Sequence, residues 1–148
     1  MIEAQLEQDI KTALLAGDKL RVLTLRMLKS ALLSVKVASG SRDSVMADAA
    51  VIGIFSKEAK KRQESADLYL QGGSETRAAA ELAEKAIIET YLPSQLSEAE
   101  ITAIIDQVIA AMGAQATMGP VIGQVKAKTN GAADGALIAK LVKEKLLK

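Results

Sequence analysis

Three groups of side chains in this sequence have the type and spacing to do chemistry. The first lies near the C-terminus, where Lys126 and Lys128 precede the turn Asn130–Gly135, and Lys140 and Lys143 follow it. A glycine-containing turn ahead of a helix exposes backbone N–H groups at the helix's positive end, and such groups suit an anion. The flanking lysines would add point charges for a phosphate backbone. Lys126, Lys128, Asn130, Gly131, Lys140 and Lys143 are therefore the candidate nucleic-acid contacts. Plain surface solubility is the alternative reading of the same charges. The second group is the run Lys57, Lys60, Lys61 and Arg62, which reads either as a phosphate contact or as a solvated face meeting acidic helices. The third is Glu64, Asp67, Glu81, Glu84 and Glu89. A di-metal site in a helix bundle needs Glu-x-x-His pairs, the chain has no His, and Glu84 and Glu89 lie on different helix faces. These carboxylates are read as a solvated face pairing with the basic helix.

What is missing narrows the chemistry further. There is no His, Cys or Trp, and only two Tyr and one Phe. Without Cys there is no disulfide, thiolate nucleophile or thiolate metal site. Without His, Ser-His-Asp hydrolysis, Cys-His catalysis, zinc fingers and two-His zinc sites are excluded. Gly119, Gly123, Gly131 and Gly135 do not form a nucleotide loop, because none follows a strand and no Gly-Lys-Ser/Thr is present. No catalytic residue, metal ligand or cofactor is assigned. Phe55, Tyr69 and Tyr91 are too few to stack unpaired bases, so any nucleic-acid binding must work by charge and shape.

Net charge is +1 over 148 residues, but it is segregated. Residues 1–17 carry −2, residues 18–62 carry +6, residues 63–112 carry −7 and residues 113–148 carry +4. Opposite blocks can pack as neighbouring helices. The last basic block can also be an electrostatic footprint for RNA or another anion.

The elements that must position these groups are all helical, since apolar residues recur at spacings of three and four and nothing alternates with a period of two. Ile2, Leu6, Ile10, Ala13 and Leu14 form a first stripe, with Gly17 closing the helix and Asp18 capping the next. Leu20, Leu23, Met27, Leu28, Ala31, Leu32 and Val35 form the second. Leu25 and Leu33 lie off it, which predicts burial on more than one side. A loop over 39–43 leads to a long helix over 45–71, with Val45, Ile52, Ala59 and Ala66 every seven residues and its basic run on the surface. Gly72-Gly73 ends it, and Ser74 is placed to cap an Ala-rich helix with Ala80, Ala83, Ile87 and Tyr91 on one face. Pro93 stops that helix. Ser97 and Glu100 then form a capping box, with Leu96 as its staple. The helix they open carries Ile101, Ile104, Ile105, Val108, Ile109 and Met112. Pro120 sits in the first turn of a helix carrying Val121, Ile122 and Val125, and Asp134 caps the last helix with Leu137, Ile138, Leu141, Val142 and Leu146. The expected architecture is all-α, with an N-terminal helical hairpin bundle over 1–93 and a small three-helix bundle over 94–148.

The acidic, polar start offers no secretory signal, and no window offers 18 consecutive apolar residues for a membrane span. A cytoplasmic location is expected, consistent with the absence of Cys.

Several strings carry a family resemblance. They are Glu89-x-Tyr91-Leu92-Pro93-x-Gln95-Leu96-Ser97-Glu98-x-Glu100, then Met118-Gly119, then Gly131-x-Ala133-Asp134-Gly135. Upstream stand Leu25-Arg26-Met27-Leu28-Lys29-Ser30-Ala31-Leu32 and Lys60-Lys61-Arg62-Gln63-Glu64-Ser65. Each is weak alone, but five in order over nearly the whole chain are specific, and the sequence resembles the GatB/YqeY family in its stand-alone YqeY-like form. The C-terminal part is similar to the tail domain of the B subunit of glutamine-dependent tRNA amidotransferase. The resemblance implies an all-α fold, a link to tRNA-dependent amidation (a carbon–nitrogen ligase activity with glutamine as amido donor), and tRNA or a tRNA-amidation or aminoacylation protein as partner. The catalytic portions of that enzyme lie in other domains and subunits. Two positions depart from the pattern: Pro120 stands where Lys is common and Ala132 where Arg is common. Both remove positive charge from the surface assigned to RNA.

Overall fold

The computed structural model describes residues 1–147. Among these it is helical throughout, without a strand, and the chain divides into two units, Met1–Leu92 and Pro93–Lys148.

The first unit holds α1 (Ile2–Ala16), α2 (Lys19–Ala38), α3 (Asp48–Gln71) and α4 (Glu75–Glu89). Gly17 ends α1 at φ 70°, the left-handed region where a side chain would be strained. One residue on, the Asp18 carboxylate accepts from the Arg21 N–H at 3.1 Å and opens α2. The core gathers Leu6, Ile10, Leu25, Leu28, Leu32, Val51, Phe55, Ala59 and Ile88. The α2 stripe differs from the expected one. Val22, Leu25, Leu28 and Leu32 point inward, while Leu20, Leu23, Met27, Leu33 and Val35 are exposed. α2 is apolar on two sides but buried on one, so periodicity could not choose the inner face.

α3 begins three residues later than expected. Ala47 is extended, at φ −62° and ψ 145°. The Met46 N–H donates to the Glu3 carboxylate at 2.7 Å and the Ile2 N–H to the Asp48 carboxylate at 2.9 Å, so α1 fixes where α3 starts. Val45 lies outside the helix and exposed. The inner row of α3 is Val51, Phe55, Ala59, Arg62 and Ala66. Arg62 is thus not on the surface, as its basic neighbours suggested, but in the interior.

The hairpin partner α4 turns Ala78 and Ile88 inward and leaves Ala80 exposed. Its inner face is rotated from the expected one, and polar contacts to α3 lie on it: Glu84 meets Arg62 at 3.1 Å, and Lys85 donates to Gln63 at 2.7 Å. Ser74 occupies the N-cap position of α4 without a capping hydrogen bond from its side chain.

The second unit holds α5 (Glu98–Met112), a short 3-10 turn at Gly113–Gln115, α6 (Met118–Thr129) and α7 (Gly135–Leu146). The capping box is complete: Ser97 N–H donates to Glu100 at 2.8 Å and Glu100 N–H to Ser97 Oγ at 3.2 Å. Leu96 packs against the core of Ile101, Ile105, Val108, Val121, Val125, Ile138, Leu141 and Val142. Each of the three helices packs on the other two.

Candidate nucleic-acid interface

The geometry of the α6–α7 turn follows from its residues. α6 ends in Asn130, left-handed at φ 44° and ψ 52°, with its N–H donating to Lys126 O at 3.0 Å. Asn tolerates this conformation better than other residues with a Cβ. Gly131 follows at φ 86°. The Ala132 N–H returns to Thr129 O at 2.9 Å, and Ala132 O accepts from the Leu96 N–H at 2.7 Å. Asp134 is extended at φ −70° and ψ 133° and begins α7 without a capping bond from its side chain. The first amide returned along α7 is that of Ile138, to Asp134 O at 3.0 Å. The N–H groups of Gly135, Ala136 and Leu137 therefore have no intrahelical acceptor, as the first turn of any helix dictates.

The structure brings some of the expected residues together and separates others. A Cβ on Gly135 would lie 3.2 Å from Lys126 Cε and 3.3 Å from its Nζ, so the Lys126 side chain lies across the start of α7. Lys140 and Lys143 are three residues apart on α7 and share an exposed side. Lys128 is exposed but two residues beyond Lys126, about 200° around the helix, and points away from it. Among the described residues, none of Lys126, Lys128, Lys140 and Lys143 forms an ion pair, whereas Lys145 pairs with Asp106 at 3.1 Å. Lys126, Lys128 and Lys143 also lie in the last turns of their helices, where a cation complements the helix dipole.

The two departures from the family pattern fall in different settings. Pro120 is exposed in the first turn of α6. Ala132 is buried at 9% exposure and ties the segment before α5 to the α6–α7 turn. Sequence reading missed that tie, although Leu96 was already marked as an apolar staple.

The other charged groups resolve differently. Arg62 is 7% exposed; its Nη1 donates to Glu58 at 2.8 Å and its Nε to Glu84 at 3.1 Å. Glu89 pairs with Lys85 at 3.4 Å. Among the described residues no cluster of three or more His, Cys, Asp or Glu residues could hold a metal ion. Spacing was the available signal for Arg62, which falls four after Glu58 and three after the buried Ala59. Elsewhere in the first unit, burial pushes the Glu3 carboxyl up, but hydrogen bonds from Lys36 and the Met46 N–H, with the Lys36 charge, outweigh it and hold the group below its usual range. Burial first, then a hydrogen bond to Asp9 and its charge, push the Tyr91 phenol well up. Phe55 meets the Tyr91 ring edge-on at 5.6 Å between centroids.

No helix among the described residues is long and apolar enough to cross a membrane. Two curated relatives match, each named Altered inheritance of mitochondria protein 41, mitochondrial. The one from Vanderwaltozyma polyspora is 33% identical over 89 residues, covering 60% of this chain and 47% of the relative. The one from Eremothecium gossypii is 33% identical over 89 residues, covering 60% of this chain and 48% of the relative. The chain thus matches about half the length of these relatives. The family model for Yqey-like proteins matches residues 3–146, end to end across both units, and the chain belongs to the YqeY-like family.

Proposed function

We infer that this chain is a non-catalytic RNA-binding accessory protein, with tRNA as its ligand class and a family-level relation to glutamine-dependent tRNA amidotransferase. The observation that carries the reading is the set of lysines on α6 and α7: Lys126, Lys128, Lys140 and Lys143 are exposed and in no ion pair among the described residues. An ammonium that has no carboxylate to satisfy it is available to a phosphate, and each phosphate neutralised releases condensed counterions. Asn130 and Gly131 shape the turn that sets the lysines of α6 and α7 on either side of it. The strings around Pro93–Glu100, Met118-Gly119 and Gly131–Gly135, which resemble the amidotransferase tail domain, favour the same reading. The cysteine-free composition fits the cytoplasm as its compartment. The two relatives named as mitochondrial are the counter-indication.

The test is tRNA affinity across a salt series. Log K is expected to fall against log salt by roughly 0.7–0.9 for each phosphate contacted. Lys140→Glu with Lys143→Glu should weaken binding about tenfold and flatten that slope. Absence of binding at low salt ends the reading.

A second reading is favoured by one observation. Leu20, Leu23 and Met27 of α2 are 43%, 59% and 41% exposed, a row of apolar side chains on one side of a helix. It makes the chain a docking module for a tRNA-amidation or aminoacylation protein.

A further inference from the structure

We propose that the groove bounded by α2, α3 and α4 in the first unit receives a basic amphipathic helix of a partner protein. The inference rests on the second reading above and is independent of RNA binding by the second unit. The groove measures about 510 Å³ and is lined by Met27 of α2, by Lys61, Arg62, Glu64, Ser65 and Leu68 of α3, and by Glu81 and Glu84 of α4.

Its chemistry is fixed by what is already paired. The Arg62 guanidinium, with a side chain only 9% exposed, gives Nε to Glu84 and Nη1 to Glu58. Its Nη2 has only the Met27 thioether, at 3.8 Å, a weak acceptor. Two carboxylates thus surround the buried cation, and a second cation completes the balance. The Lys61 ammonium leans on Glu58 at 3.2 Å. Glu64 and Glu81 remain, one on each of the two hairpin helices. Neither has a hydrogen bond or an ion pair among the described residues, so the net field over the groove is negative. The same groove is lined by Met27, 41% exposed, and Leu68, 66% exposed. Leu20 and Leu23 continue the apolar surface along α2 at helical spacing from Met27.

An apolar strip flanked by unpaired carboxylates is complementary to a helix with apolar residues at i, i+3 or i+4 and i+7 and Lys or Arg beside them. Methionine on such a surface adapts to the side chains laid over it. RNA and acidic segments meet the wrong sign of charge here.

Methionine methyl labelling supplies the test, because the five Met residues include Met27 in the groove and Met118 in the second unit. The probe is a synthetic helical peptide with Leu on one face and Lys on its flanks. The control carries Glu in place of every Lys. The basic peptide should shift the Met27 methyl resonance saturably and leave Met118 still, and the acidic peptide should shift neither. The double variant Glu64→Lys, Glu81→Lys, with its other methyl resonances unchanged as the sign of an intact fold, should bind the basic peptide about tenfold more weakly, or 1.4 kcal/mol. The inference is overturned if Met27 does not move, if the acidic peptide binds equally, or if the double variant binds as well as the parent. A Met27 shift that depends on protein concentration alone would instead identify a second copy as the occupant and overturn it too. RNA binding is read separately, from tRNA affinity across the salt series, so failure of RNA binding and failure of the groove are separate results.

Discussion

The first unit buries an arginine among its helices; in the second, Thr129 is the one polar side chain buried among the described residues, and its hydroxyl donates to Lys126 O at 3.2 Å. Around Arg62 stand carboxylates from its own helix and from the next, Glu58 and Glu84, and further polar ties join α1 to its neighbours through Glu3, Asp9 and Asp48. The second unit has an all-aliphatic core and relies on helix-end chemistry: the Ser97–Glu100 box, the left-handed Asn130 and the Leu96–Ala132 tie. Long apolar helices can slide or rotate against one another, and a buried charge that must meet its partners gives such helices one register. Short helices of about a dozen residues are marginal alone, and there a cap adds proportionately more. In the second unit, charge is left over for the surface, where Lys126, Lys128, Lys140 and Lys143 form no ion pair among the described residues.

The largest expected effect tests the polar interior. Arg62→Ala leaves Glu84, 20% exposed, without its cation and Glu58, 16% exposed, with Lys61 alone. Breaking a buried pair by removing one partner costs about 3–5 kcal/mol, and the remaining solvent access places this case at about 3. The combined variant Arg62→Met, Glu58→Gln, Glu84→Gln should recover most of that loss in urea unfolding. A loss below about 1 kcal/mol for Arg62→Ala would mean that the first unit does not depend on its buried charge.

The two shifted groups both lie in the first unit and act at opposite ends of the pH scale. Glu3 binds its proton less tightly when folded, so its contribution is whole above its unfolded value of 4.5 and drains as pH falls through the lower folded value. Tyr91 holds its proton more tightly when folded, so its contribution is whole below its unfolded value of 10.0 and is lost as pH rises. Glu3→Gln should flatten the acid limb of the stability profile and Tyr91→Phe the alkaline limb, measured by hydrogen exchange in α1–α4. An acid limb that keeps its slope in Glu3→Gln would remove Glu3 from the account.

Helix-end chemistry is next in size. Ser97→Ala deletes the acceptor for the Glu100 N–H and frees the Glu100 side chain from the box, at a cost of about 1 kcal/mol. Hydrogen exchange in the first turn of α5 reports it, and unchanged protection there would show that Leu96 packing alone starts the helix.

Sequence alone showed most clearly the features set by neighbours in the chain. The Ser97–Glu100 box, the Gly17–Asp18 junction and the stop at Pro93 are local, and each side chain acts on backbone within four residues of itself. The aliphatic stripes of α5, α6 and α7 were legible because each helix has one apolar side. The inner face of α2 was not, and that of α4 only in part, since Ile87 and Tyr91 pack on the core as expected while Ala80 is exposed. α2 offers two apolar sides, and α4 is turned so that Glu84 and Lys85 reach α3 in place of the Ala80 face. Arg62 was hidden by its basic neighbours, since a run of charges reads as solvated unless the helix register is known. In the candidate interface, the lysines could be named but not grouped. Lys126 meets the start of α7 because Gly135 has no side chain in its way, a contact across the turn that periodicity does not report.

The smallest expected effect compares the two units at equivalent positions. Gly53 lies inside α3 and Gly123 inside α6, and a Cβ at either would meet no atom within 4 Å. Alanine restricts the unfolded chain and suits a helix interior, so Gly53→Ala and Gly123→Ala should each stabilise by about 0.5–1 kcal/mol. If helix propensity is all that changes, the two gains are equal. The longer α3 is already fixed by Phe55 and the Arg62 cluster, whereas α6 has 12 residues and no side-chain cap at Thr117. A clearly larger gain at Gly123, read from thermal melting of the two variants, would show that α6 frays in the native state. The lysines at its end would then be held less firmly than the buried charges of the first unit.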